Sequence, residues 1–171
     1  AHTPTLQTAP GPAPPSRLLP ATAIAGAAGP TGRAHYSDGV RVYLVRHAHA
    51  AAGEPDELRR LTETGREQAR ALGERFAALE PRPELVLSSQ LLRARETAAA
   101  IAKATGAELR VAERLAPGAT AVRLAEAGAG AREPVVAVGH QPDCSEIVAA
   151  VTGGPDAGFP PAGMAALELP T

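Results

Sequence analysis

The sequence predicts an α/β chain folded as a three-layer α/β/α sandwich around a mostly parallel sheet. Three observations predict it. Val40–Val45 and Pro134–Val138 are short, nearly continuous apolar runs rich in β-branched residues, the pattern of strands buried on both faces. Strand-like runs alternate with segments whose apolar residues recur at helical intervals, as in βαβ units. The chain of 171 residues is long enough for one domain with a sizeable core and too short for two ordinary ones.

Residues 1–39 contain seven prolines and five glycines with no sustained period, so they bury too little apolar surface to offset the entropy of ordering. A disordered Ala/Pro/Gly-rich segment is expected there, with the folded domain over residues 40–171. Leu18–Ala28 after Arg17 has the outline of a secretory signal, but Pro20 and weak hydrophobicity argue against it. An extension upstream of the domain is the other reading. His2 and His35 fall in this segment and carry no functional weight.

The first strand, from Val40, ends abruptly in Arg46-His47. Ala50–Arg60 follows as a polar loop long enough to cover the end of a sheet. Thr64-Gly65-Arg66-Glu67 has the spacing of a capping box, and Ala69, Leu72, Phe76 and Leu79 then mark a helix over about 62–78. Pro81 and Pro83 end it, and Glu84–Leu87 gives a second strand closing on Ser88-Ser89. Ser89 is a candidate N-cap for a helix whose buried face is Leu91, Ala94, Ala98 and Ile101 and whose stop is Gly106.

Leu109–Val111 is a short third strand, and a helix is expected over about 120–127. The strand Pro134–Val138 runs into Gly139-His140, the glycine permitting close approach of another group. Pro142 opens a helix over 143–151, and Met164–Leu169 is an edge strand.

Ligands of open α/β sheets sit just outside the carboxyl ends of the strands. Arg46, His47, Arg93 and His140 all fall at such ends or in the helical turn after one. Two guanidiniums and two imidazoles there would make a compact anion pocket of phosphate size, with an imidazole as nucleophile or base. Arg95, two residues beyond Arg93, points elsewhere.

Formal charge is -1, which excludes a global basic field for nucleic acid or anionic membrane. The single cysteine, Cys144, excludes an internal disulfide and multi-cysteine metal clusters, and is expected to be a small buried hydrophobe in a reducing, cytoplasmic setting. No apolar run is long enough to span a bilayer. One lysine, Lys103, stands against sixteen arginines and no asparagine occurs, a composition that reflects GC-rich coding and says nothing of mechanism.

Five segments in order resemble the histidine phosphatase superfamily, of phosphoglycerate-mutase-like fold, and within it the SixA-type phosphohistidine phosphatases. They are Leu44-Val45-Arg46-His47, Arg60–Gly65 with Gln68-Ala69, Ser88–Ala94 with Glu96-Thr97-Ala98, Leu115-Ala116-Pro117-Gly118, and Val138-Gly139-His140-Gln141-Pro142. The resemblance covers residues 40–171. It implies that His47 is a transiently phosphorylated nucleophile, that Arg46, Arg93 and His140 hold the transferring phosphoryl group, and that no metal or other cofactor is used. The implied substrate is a phosphorylated protein, with a small phosphorylated molecule as the alternative, acted on by a monomer.

Two departures stand out. Ala48 occupies a position that is usually glycine. Ala116 stands where many phosphomonoesterases and mutases of the superfamily carry a leaving-group acid, which SixA-type members also lack. Glu54, Asp56 and Asp143 are the other carboxylates that could supply one. Two rival readings belong to other classes: a zinc hydrolase using His47, His49 and His140, and a module that binds phosphate without turning it over.

Overall fold

The computed structural model describes residues 39–156 and 158–170. The expectation for residues 1–38 lies outside them. Five strands form one sheet: β1 (Gly39–Arg46), β2 (Leu85–Ser88), β3 (Glu108–Val111), β4 (Val135–Gly139) and β5 (Met164–Pro170). Four helices accompany them: α1 (Glu63–Ala77), α2 (Leu92–Thr105), α3 (Ala121–Gly128) and α4 (Asp143–Thr152). The strand order is β3-β2-β4-β1-β5. All pairings are parallel except β5, which runs antiparallel along the outer edge of β1.

The buried residues divide into two sets that alternate along the strands. Val42 and Leu44 of β1 and Val135 and Ala137 of β4 face one side with Leu124, Ile147 and Phe159. Val45, Val86, Val136 and Val138 face the other with Leu72, Phe76, Ala98 and Ile101. The two-residue period thus sends successive side chains to opposite faces, α1 and α2 covering one and α3 and α4 the other. Phe76 and Ile101 are fully buried, so truncating either to alanine would cost about 2–5 kcal/mol.

Register is what positions the site. Arg46 of β1 pairs with Gly139 of β4, and Ser88 of β2 pairs with Val138 of β4. The ladders continue one step further, His47 N donating to Gly139 O at 3.0 Å and Ser89 N to Val138 O at 3.2 Å. Three adjacent parallel strands therefore stop together and deliver His47, Ser89 and His140 to one edge.

The helix starts differ from expectation in detail. Thr62, not Thr64, caps α1, its Oγ1 accepting from Gly65 N at 3.0 Å. Gly65 is required by crowding: a Cβ there would lie 2.0 Å from His49 O. Ser89 is not the N-cap of α2. Leu91 is, without a side-chain cap bond, and the Ser89 hydroxyl is engaged elsewhere. At Gly139 a Cβ would meet only Cys144 Sγ, at 3.9 Å, so the expected close approach is absent. The loop 50–60 contains a 3-10 turn, Asp56–Leu58, whose Asp56 is held by Arg93 of α2. No helix among the described residues is long and apolar enough to cross a membrane.

Candidate active site

His47 follows the last residue of β1 and is buried. Its Nδ1 lies 2.7 Å from Ala48 O. A carbonyl can only accept, so Nδ1 carries the proton and the neutral ring keeps its lone pair on Nε2. Burial, with Arg93, Arg46 and Arg59 adding positive charge nearby, lowers the pKa from 6.5 to about 4 against the opposing pull of the Ala48 carbonyl. The ring is an uncharged base at neutral pH. Ala48 N is in turn held by Thr97 Oγ1 at 3.0 Å, and that hydroxyl donates to Arg93 O at 2.8 Å, so helix α2 braces the loop that carries His47.

The two arginines are restrained in the same manner. Arg46 NH1 donates to Phe159 O at 2.6 Å. Arg93, on the first turn of α2 and buried, donates from NH1 to Asp56 O at 2.8 Å and from NH2 to Asp56 Oδ2 at 3.1 Å. Each fork is held from its outer end, and Nε is left unpaired. Burial lowers the pKa of Arg46, which nonetheless stays protonated at any ordinary pH.

His140 follows β4 and is buried. Its ring centroid is 5.3 Å from that of His47, with the planes tilted by 55°. Its Nε2 lies 2.8 Å from Ser89 Oγ. Burial comes first, then His47 and Arg93, in pulling its pKa down to about 3, with Asp56 opposing. It is neutral at pH 7. The reason is first burial, which penalises the charged ring, and then the neighbouring His47, Arg93 and Arg46.

Among the described residues, the buried side-chain nitrogens without a hydrogen-bond partner are Arg46 Nε, Arg93 Nε and His140 Nδ1. Buried polar groups are almost always paired, and orphans need an explanation. Here all three belong to the residues that the sequence sends to this edge. Two fixed N–H donors and one imidazole nitrogen, beside the free Nε2 of His47, are the complement of a tetrahedral oxyanion.

The remaining candidates sort differently. His49 is exposed, its Nδ1 2.8 Å from Thr62 Oγ1 at the cap of α1, so the imidazole trio of the zinc reading does not gather. Among the described residues no three His, Cys, Asp or Glu side chains are grouped to hold a metal. Asp143 is buried, not solvated, and its Oδ2 accepts from Gly118 N at 2.8 Å and Ala119 N at 3.1 Å, tying down the segment that contains Ala116. Asp56 is ion-paired with Arg59 at 2.9 Å and Arg93 at 3.1 Å, and the hydrogen bond from Arg59 holds its carboxyl below the usual range. Glu54 and Arg95 are exposed. Cys144 is buried and its thiol is pushed up to about 12, so it is inert packing as expected.

Ser89, Arg59 and Thr97 join the site only in the structure, and Asp56, a candidate acid in the sequence, serves there as a partner of Arg93. Ser89 had a signal, its place at a strand end. Thr97 lies in the Glu96-Thr97-Ala98 segment of the family resemblance, but a helical threonine and a loop Asp-x-x-Arg look like ordinary surface patterns until tertiary contacts select them.

This geometry has relatives. The model of the histidine phosphatase superfamily (branch 1) matches residues 42–117. A crystal structure described as a phosphohistidine phosphatase SixA, from Agrobacterium tumefaciens, shares 31% identity and superposes with a TM-score of 0.64, covering 76% of this chain and 91% of that one. The chain belongs to the histidine phosphatase superfamily. A protein histidine phosphatase SixA complexed with tungstate has the same fold, with a TM-score of 0.66 at 23% identity over 74% of this chain and 86% of that one. The mitochondrial serine/threonine-protein phosphatase Pgam5 of Drosophila persimilis is 41% identical over 58 residues, 33% of this chain. That match spans only 20% of Pgam5. The superfamily assignment thus rests on a fold match over nearly the whole of a SixA-described chain and on a sequence signature in the half that holds His47 and Arg93.

Proposed function

We propose that this histidine phosphatase domain hydrolyses phosphoramidate bonds of protein phosphohistidine through a phosphorylated His47, without a metal. The observation that carries the reading is the set of unpaired buried nitrogens on Arg46, Arg93 and His140 around a neutral His47 whose lone pair is on Nε2.

In the first step His47 Nε2 attacks phosphorus in line. The P–N bond to the substrate imidazole breaks, and that imidazole, protonated beforehand on its second ring nitrogen, departs as a neutral group. His47 keeps Nδ1–H on Ala48 O throughout. Charge on the equatorial oxygens is met by the Arg46 and Arg93 N–H groups and by His140. Water then attacks the phosphorus of phospho-His47, the new P–N bond breaks, and orthophosphate leaves with Nε2 restored.

The state of the carboxylates supports a phosphoramidate over an alkyl ester. Asp143 is committed to two backbone N–H groups, Asp56 is held ionised, and Ala116 has no acid to give. An alkoxide needs a proton as it leaves, and general acid catalysis is worth about 10²–10⁴. A protonated imidazole leaving group does not need it. The runner-up is a small-molecule phosphomonoesterase on the same site. Comparing phosphohistidine peptides with phosphate monoesters tests the choice. Preference for the peptides supports the proposal, and equal or greater kcat/KM on a sugar phosphate refutes it.

A further inference from the structure

We propose that Ser89 is a positioning residue that fixes His140 as an Nδ1–H donor toward the oxygens of the bound phosphoryl group. The inference rests on the phosphoryl-binding role given to His140 above.

Ser89 sits one residue beyond β2, at the level of Gly139-His140 on the neighbouring strand, and is fully buried. Its Oγ is 2.8 Å from His140 Nε2 and accepts from Leu91 N at 3.2 Å. A hydroxyl has one proton to give. If Nε2–H donated to Ser89, Oγ would accept twice, its own proton would face no acceptor, and His140 Nδ1 would present a lone pair to an incoming anion. If Ser89 O–H donates to Nε2, the hydroxyl is fully used and Nδ1 carries the proton. Only the second arrangement pairs every polar atom once an anion is bound, and Nδ1 is the nitrogen left without a partner among the described residues.

A doubly protonated ring would escape the choice, but the surroundings oppose it. The groups facing His140 are His47 and Arg46 at the end of β1, Arg93 on α2, and Asp56 on the 3-10 turn, and burial keeps the ring neutral. One ring proton must therefore be placed, and Ser89 places it. His47 and His140 then present opposite faces of the same chemistry: the Ala48 carbonyl forces a lone pair outward on one ring, and the Ser89 hydroxyl forces a proton outward on the other.

The test is ¹⁵N NMR of the histidine rings of the full chain at neutral pH, together with vanadate binding. The wild type should show His140 Nδ1 as pyrrole-type and Nε2 as pyridine-type. Ser89→Ala should mix or reverse that tautomer and weaken vanadate about 10–100-fold, the range found for the partners that orient ligand histidines. Ser89→Thr should retain both properties. Ser88→Ala removes the adjacent buried hydroxyl, which donates only to Ser89 O, and should change neither.

A pyridine-type Nδ1 in the wild type overturns the inference outright, whether or not the variants fold. Weaker vanadate binding in Ser89→Ala with an unchanged His140 tautomer also overturns it, because Ser89 would then act through Leu91 N and the helix carrying Arg93. Neither measurement needs turnover. Failure of the proposed function would show separately, as activity surviving loss of His47 or as equal or greater kcat/KM on a sugar phosphate.

Discussion

His47 and His140 face one another across the ends of β1 and β4, ring centroids 5.3 Å apart and planes inclined at 55°. Both are buried, both are neutral at pH 7, and they differ in what holds the second nitrogen. Ala48 O takes the proton of His47 Nδ1, while Ser89 Oγ meets Nε2 of His140. That difference divides the pair into a base with an outward lone pair and a ring whose other nitrogen is left without a partner among the described residues.

His47→Ala should abolish turnover and leave the fold intact, since β1 packs through Val42 and Leu44 and not through the imidazole. Residual activity above ~1% of wild type would place the nucleophile elsewhere. Rapid quenching of the wild type should trap a phosphorylated enzyme whose label is acid-labile and base-stable. An acid-stable, base-labile label would indicate a serine ester.

Arg93→Ala should weaken phosphate, vanadate and substrate together. The loss should be about 2–4 kcal/mol of transition-state stabilisation, comparable to deleting one preorganised donor. Asp56→Asn should cost less, because the contact from Arg93 NH1 to the Asp56 carbonyl survives when the carboxylate is removed. Vanadate inhibition unchanged in Arg93→Ala would mean that its free Nε does not serve the anion.

The layer order and the gathering of Arg46, His47, Arg93 and His140 at one edge of the sheet were legible because each rests on local pattern. Buried runs such as Val135–Val138 announce a parallel sheet, and the rule that ligands gather at carboxyl ends converts three strand ends into one location. What was not legible depends on contacts between distant segments. Ser89 looks like a cap until His140 is found 51 positions away, and Asp143 is a candidate acid until Gly118 and Ala119 turn their N–H groups onto it. The neutral state of His140 is likewise set by its burial and then by His47 and Arg93 brought beside it, which no spacing reveals.

Stability should fall as pH drops from 7 toward 4. An imidazole with an ordinary pKa of 6.5 in the unfolded chain takes up a proton below that value, whereas His47 resists to about 4 and His140 to about 3 when folded. The unfolded state therefore binds more protons in this window, and acid favours unfolding. Denaturant midpoints measured across the window should show a shallower decline in the double variant His47→Asn/His140→Asn. An identical slope in variant and wild type would show that neither ring is held neutral by the fold.

Prolonged chelator treatment should leave kcat and KM unchanged, since the proposed chemistry runs on nitrogen donors alone. His49 is occupied with Thr62 at the start of α1, apart from the His47–His140 pair. Loss of activity on chelation, restored by zinc, would instead favour a metal held by His47 and His140 with ligands recruited on binding.

The leaving group gives the most direct test of function. Without a poised acid, phosphoramidates should be cleaved far faster than alkyl phosphates, and among esters the rate should climb steeply as the alcohol becomes more acidic, because a stable alkoxide needs no proton. Ala116 lies just after the turn Glu113–Leu115, in the segment that Asp143 ties down through Gly118 and Ala119. Its position is therefore fixed, and Ala116→Glu should raise activity on alkyl phosphates selectively while changing phosphohistidine turnover little. The substrate series is the firmer of the two measurements, since a new glutamate can turn to solvent at a half-buried position. Rapid cleavage of a sugar phosphate by the unmodified enzyme, with rates indifferent to alcohol acidity, would require an acid already in place. Asp56 would then have to release its hold on Arg59 and Arg93 to carry a proton, and Asp56→Asn would abolish ester hydrolysis while sparing phosphoramidates.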